Sequence, residues 1–370
     1  MDECARFFGL RAWPFRIVAD PEFAKVWADR SELKSELEKR MRRLRGAPHS
    51  TVQLMWADFG AGKSHTLRYL EARSREVSAL LPVYTEIPVQ AEGIEHLYRG
   101  LAAAVPQETF QVLANTIVNQ RLPPSRTGGG RDFRQALKLL ASSDAGSSEV
   151  ALSWLEGNPR TPHMNLLRSY GIQSRIDSAD RSVEVLAEFV AIASANAPGA
   201  GVLWLIDEFQ RIADLSERKR ESLLKSFVTL FNRCTRGLHM VLSFSVAQPE
   251  TVSSLLPPDL RSRANTFSIL PLPFLSLEDA RIFLRDLLAS FRDTSLSKDY
   301  FLADDAPALD SLLDYAAQKS AGRLTPRVLM EVCDRILFEA YDTHIAEFGS
   351  GVSVGQMKSK IMAAEERSSK

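Results

Sequence analysis

The chain has 370 residues, 45% hydrophobic and 25% charged, the make-up of a globular protein with a sizeable core. Lys plus Arg and Asp plus Glu both number 46, so the formal net charge is zero. A protein that coats nucleic acid by bulk charge is therefore disfavoured, though a local basic patch is not. Three cysteines, Cys4, Cys234 and Cys333, give neither a disulfide framework nor zinc-ligand spacing, and they suggest a reducing, cytoplasmic setting. No signal peptide or membrane span is expected, because no apolar stretch approaches the roughly 18 residues a span needs.

Residues 1–49 read as a helical lead-in whose Phe7, Phe8, Trp13 and Phe15 pack as a clasp on the core. "KRMRRLR", Lys39 to Arg45, carries five basic residues in seven. It reads best as the solvated face of a helix, with Glu32, Glu36 and Glu38 just upstream. The other reading is contact with a phosphate backbone or an acidic partner.

Thr51 to Trp56 is a β-branched and apolar run that suits a buried strand. "ADFGAGKSH" follows, then a helical pattern with Leu67, Leu70 and Ala72. Strand, glycine turn and helix are the setting of a phosphate-binding loop. The amides of Gly60, Ala61, Gly62, Lys63, Ser64 and His65 would face the anion, where the helix dipole favours negative charge. Lys63 would reach the β- and γ-phosphates of ATP and Ser64 would ligate Mg²⁺. Ala57 stands where the first glycine of G-x-x-x-x-G-K-[ST] belongs, a mild change if its backbone is not left-handed. A chance G-x-G-K-S in a loop is the plainer alternative.

Glu86 is expected near the end of a second strand. Residues 106–181 read as an insertion with a flexible loop, "PPSRTGGGRD", then short helices in which Trp154 is core. "GVLWLIDEFQRI" has an unbroken apolar run, Val202 to Ile206, as in a parallel strand buried on both faces. It ends in two carboxylates at the strand edge where α/β proteins bind ligands. Asp207 would hold the hydrated metal and Glu208 would polarise the attacking water. Farther on, Ser276 and Asp279 form a capping box, and Thr325 caps a helix that starts at Pro326. After Thr343 the sequence reads as a mobile tail or a short partner-binding helix.

From about Ser50 to Thr343 the chain resembles AAA+ ATPases of the Cdc6/Orc-like, initiator and transposition-regulator branch. Its "W-L-x-G … GI…RID" stretch resembles ATP-binding proteins of BREX-type phage-defence islands. The resemblance implies an α/β fold, a doubly wound parallel sheet at 50–275 with a small all-α lid at 276–345 and a tail at 346–370. It implies a polar sensor at the end of the fourth strand, Ser245 with Ser243 and Gln248 as alternatives. It implies an arginine finger at Arg263 or Arg261, a nucleotide-facing arginine at Arg327 or Arg323, and a switch residue at Glu86. It further implies Mg·ATP hydrolysis, self-association into a ring or filament, partners that act on DNA, non-specific DNA contact and a role in antiviral defence.

Overall fold

The computed structural model describes residues 2–16, 23–28, 30–77, 79–120, 122–142, 144–197, 199–264, 269–295, 301–348 and the single positions 361, 363, 364 and 367. The chain divides into two compact units, one of residues 38–57 and 70–271, the other of residues 1–37, 58–69 and 272–370.

The first unit is built on five parallel strands, β1 (Thr51–Ala57), β2 (Leu80–Glu86), β3 (Gly201–Asp207), β4 (Leu238–Ser245) and β5 (Leu270–Pro271), in the order β2-β3-β4-β1-β5. Every residue of β3 and β4 is buried, as unbroken apolar runs require of central strands. The registers pair Glu86 with Asp207 and Ala57 with Ser245, so the carboxyl ends of β1, β2, β3 and β4 share one edge. Helices Ile94–Ala104, Gln107–Asn119, Gly128–Leu140, Ala179–Ala195 and Glu217–Arg233 supply the rest of its core, with Phe133, Phe189 and Phe227 fully buried. Trp154 is core as expected, and its indole N–H donates to the Ser174 carbonyl at 2.8 Å.

The glycine-rich stretch expected as a flexible loop instead opens the helix Gly128–Leu140. Thr127 caps that helix by accepting the Gly130 N–H at 3.1 Å, and the Glu184 carboxylate accepts the Gly129 N–H at 2.7 Å. A Cβ on Gly129 would lie 2.7 Å from Glu184 Cβ, so the glycine is there to let two helices approach. Arg181 pairs with Asp132 across the same contact.

The second unit is mainly helical and includes the glycine loop at 58–62 with the start of the helix that begins at Lys63. Helices Leu277–Phe291, Ala306–Lys319 and Pro326–Phe348 share an apolar cluster with Phe7, Phe8, Leu10, Trp13 and Phe15. The aromatic clasp, expected on the core, shares its cluster with these helices; Trp13 donates its indole N–H to Asp334 at 2.6 Å. Ser276 and Asp279 form the expected capping box. Within the 346–370 tail, expected to be mobile, Ile361 and Ala364 are buried in the same cluster, because their apolar side chains fill it, and Arg367 pairs with Glu339 at 2.7 Å. Among the described residues no helix is long and apolar enough to cross a membrane.

Candidate functional site

The acidic edge belongs to the sheet unit. Asp207 ends β3 fully buried; its Oδ1 accepts the Glu208 N–H at 2.8 Å. Tyr84 Oη lies 3.0 Å from Asp207 Oδ2 and 3.1 Å from Glu86 Oε1, so its single proton serves one carboxylate at a time. Glu208 then turns the chain out of the sheet with left-handed angles, φ 55° and ψ 35°, which costs a non-glycine residue about 1–2 kcal/mol. The next turn, Phe209–Asp214, holds it there by burying Phe209 and Ile212 in the core.

Three side chains grip the Glu208 carboxylate. Gln210 Nε2 donates to Oε2 at 2.8 Å, Ser245 Oγ lies 3.4 Å from Oε1, and Arg211 Nε lies 3.6 Å from Oε2. The other end of the Gln210 amide accepts the Ser245 N–H at 2.8 Å. Its two partners fix the amide's orientation, since a carboxylate needs the NH₂ and an N–H needs the oxygen. Arg211 reaches on to Glu86 Oε2 at 3.5 Å and donates to the Ile87 carbonyl at 2.9 Å. Glu86 and Glu208 are thus joined through a guanidinium.

Of the sensor candidates, Ser245 reaches this network. Ser243 is fully buried, and Gln248 is exposed at the start of helix Pro249–Leu255. Tyr84, Gln210 and Arg211 were not anticipated. Their positions carried a signal: Tyr84 is two residues before Glu86 on the same strand face, and Gln210 and Arg211 lie within one turn of Glu208.

The glycine loop belongs to the other unit. Gly60 and Gly62 take φ of 77° and 95°, and a helix begins at Lys63. The loop carbonyls are held from outside. Asp58 O accepts from Lys63 Nζ at 2.8 Å, Ala61 O from Arg30 Nη1 at 2.9 Å, and Gly60 O from the Arg327 N–H at 3.3 Å. Among the described residues the amides of Gly60, Ala61 and Gly62 and the Ser64 hydroxyl have no partner. Unpaired N–H groups ahead of a helix start are what an anion needs.

Thr325 accepts the Val328 N–H at 3.2 Å, as expected of an N-cap. A Cβ on Gly60 would fall 3.0 Å from Arg327 Cβ and 3.1 Å from Thr325 Oγ1, so the glycine admits that helix start. The Arg327 side chain is exposed from this position, whereas Arg323 lies in the preceding turn. His65 turns its ring to the Val26 carbonyl at 2.8 Å, and burial lowers its pKa from the ordinary imidazole value. Arg263 and Arg261 lie on helix Pro258–Ala264; Arg261 is exposed, and the Arg263 side chain falls outside the described part.

Ala57 is a strand residue in register with Ser245, fully buried and without a left-handed φ. A methyl group is at home there. Among the described residues no cluster of His, Cys, Asp or Glu could hold a metal unaided. The Ser64 hydroxyl and the Asp207 carboxylate are each hard oxygen donors of the kind Mg²⁺ takes.

The strand order, the glycine loop after β1 and the acidic pair ending β3 place the chain by fold. It has the AAA+ fold. Residues 102–251 match the family described as BREX system ATP-binding protein BrxC/D. That span includes Asp207, Glu208 and Ser245 and begins after the glycine loop. The chain is similar to the Aeropyrum pernix ORC2 protein solved as ADPNP–ADP complexes, with a TM-score of 0.51 at 12% identity over 90% of this chain and 67% of that one. It is similar to Drosophila ORC bound to DNA, with a TM-score of 0.50 at 10% identity over 91% and 70%. At such identities the likeness is one of fold. No curated protein matches the sequence.

Proposed function

We propose that the protein is an ATPase that assembles or remodels an oligomeric complex with DNA-acting partners in phage defence. The amides of residues 60–65 and Lys63 hold the polyphosphate, and Arg327 adds a cation from the start of its helix. Ser64 and Asp207 would hold Mg²⁺, which would supply neutralising charge to the phosphates. Glu208 accepts a proton from the attacking water, Ser245 senses the γ-phosphate, and Arg263 serves the site of a neighbouring subunit. The observation that carries this reading is Glu208 itself, a glutamate in a strained backbone conformation, held by three side chains beside a buried aspartate at the sheet's carboxyl edge. Strain of that kind collects where chemistry is done.

The reading is tested by steady-state turnover and labelled-ATP titration together. Lys63→Ala is expected to lose nucleotide binding, and Glu208→Gln to keep binding and lose turnover. Binding by the first or undiminished hydrolysis by the second overturns the assignment.

One observation favours a second reading, an ATP-gated scaffold with little turnover. Gln210 and Arg211 tie the Glu208 carboxylate back toward Glu86. A remodeller speeds up when partner or DNA is added; a scaffold stays near idle once assembled.

A further inference from the structure

The opposite edge of the sheet, where the strands begin, carries a cavity of about 720 Å³ within the sheet unit. Its walls are small and mostly apolar, with Ala47, Pro48, Ala191, Ala195 and Ala200 among them, and Arg45 and Arg236 stand at it. Close backbone packing holds these segments together. Ser50 N–H donates to Thr235 O at 2.9 Å, Ser50 Oγ accepts the Leu238 N–H at 3.0 Å, and a Cβ on Gly199 would lie 2.4 Å from Arg45 O. The end of helix Ser31–Leu44 and the end of helix Glu217–Arg233 are thereby brought to one place.

Both ends are basic. Arg42, Arg43 and Arg45 lie on or just after the first helix, Arg233 and Arg236 on or just after the second, and all five are exposed. The segments 41–51 and 230–240 contain no Asp or Glu. The nearby carboxylates are occupied: Glu38 is shared by Arg42 and Arg73 at 3.8 and 3.4 Å, Glu76 is taken by Arg73 and Glu71 by Arg75, both at 2.9 Å. Among the described residues Arg43, Arg45, Arg233 and Arg236 enter no salt bridge.

Arginines after a helix end favour the helix dipole, an effect that falls off within the last turn. It accounts for Arg42, Arg43 and Arg233 in part, since these lie in last turns, but not for Arg45 or Arg236, which stand beyond them. The cavity floor adds no charge. His239 is buried, with Thr51 Oγ1 3.0 Å from its Nδ1, and burial, followed by the neighbouring His49, drops its pKa to about 4. The field at this edge therefore comes from unpaired guanidinium groups around a recess, in a chain with no net charge to explain them.

We infer that this edge is a docking surface for a nucleic-acid backbone, with Arg43, Arg45, Arg233 and Arg236 contacting phosphates. Guanidinium forks match phosphate oxygens in pairs, and a phosphodiester chain offers several such partners in a row without the matched carboxylate geometry that a folded acidic protein must bring. Of the recess's other polar side chains, Ser194 donates to the Val190 carbonyl at 2.7 Å and His239 pairs with Thr51, which leaves the arginines for phosphates and makes binding independent of sequence. The inference does not depend on the nucleotide reading, because the groups it uses lie at the strand starts and the acidic pair lies at the strand ends.

The test is fluorescence anisotropy with a labelled oligonucleotide, single- and double-stranded, on the full chain without nucleotide. Four phosphate contacts predict a duplex affinity that falls roughly 150-fold between about 50 and 200 mM salt, and Arg45→Ala/Arg236→Ala should cut that to about 12-fold. Arg45→Glu/Arg236→Glu should abolish binding, and Arg45→Lys/Arg236→Lys should retain it; both should melt like the parent. An exposed control on the helical unit, Arg285→Glu, should bind as the parent does. The inference is overturned by no binding at the lowest salt, by an unchanged salt slope in the alanine pair, or by a poly-glutamate peptide that binds at this edge where oligonucleotide does not.

Discussion

Gln210→Ala tests the architecture of the acidic edge more sharply than removal of Glu208. Gln210 makes two hydrogen bonds of 2.8 Å, one to the Glu208 carboxylate and one from the Ser245 N–H. Ser245 is 5% exposed, so its amide would be left with little access to water. An unpaired buried N–H costs about 1–3 kcal/mol, and that should appear as a lower urea midpoint with an unchanged m-value. The bond to Glu208 is charge-assisted, worth about 1.5–3 kcal/mol. If it positions the base at the transition state, its loss lowers kcat roughly 10- to 150-fold, while the affinity for ATP stays put. Gln210→Glu separates the two roles. It keeps an oxygen for Ser245 but sets a second carboxylate against Glu208, so turnover should fall with less loss of stability. Parental stability and parental kcat in Gln210→Ala would refute the account of this joint.

Other expectations rest on other parts of the chain. Gly129→Ala should destabilise by about 1–3 kcal/mol in urea unfolding, because Glu184 Cβ blocks the new methyl group at 2.7 Å. His239 is held neutral to about pH 4, so the unfolded chain takes up its proton first as pH falls. Stability should decline from about pH 6.5 to 4, by roughly 3 kcal/mol if the whole shift is expressed, and His239→Gln should flatten that slope in unfolding at several pH values. Arg263→Ala should impair hydrolysis, and mixing it with Glu208→Gln subunits should restore activity; intact oligomers that show no rescue count against the finger.

Much of the fold was legible because long-range burial imposes local patterns. An unbroken apolar run such as Val202 to Ile206 suits only a strand covered on both faces, and Ser276 and Thr325 announced helix starts because the capping groups are local. The glycines at 128–130 were misread for the converse reason. Gly129 admits a neighbouring helix at Glu184, 55 residues away in sequence, and nothing local distinguishes that from a loose turn. The aromatic clasp was recognised as apolar, but its partner could not be chosen from composition, and it chose the helices. At the acidic edge, Asp207 and Glu208 were readable from position, whereas Arg211 and Tyr84 depended on which strand neighbours β3. The pairing of Glu86 with Asp207 supplied that.

The alanine at position 57 has one more effect. Locked in the sheet opposite Ser245, it moves the first free pivot of the loop to Asp58, so only a handful of torsions remain to be frozen when an anion arrives. A glycine there would widen the unliganded ensemble, and alanine spares an ordering penalty of about 0.4–1 kcal/mol at such a site. The glycine loop of this protein is stiffened at its entrance, and its backbone freedom is concentrated in Gly60 and Gly62.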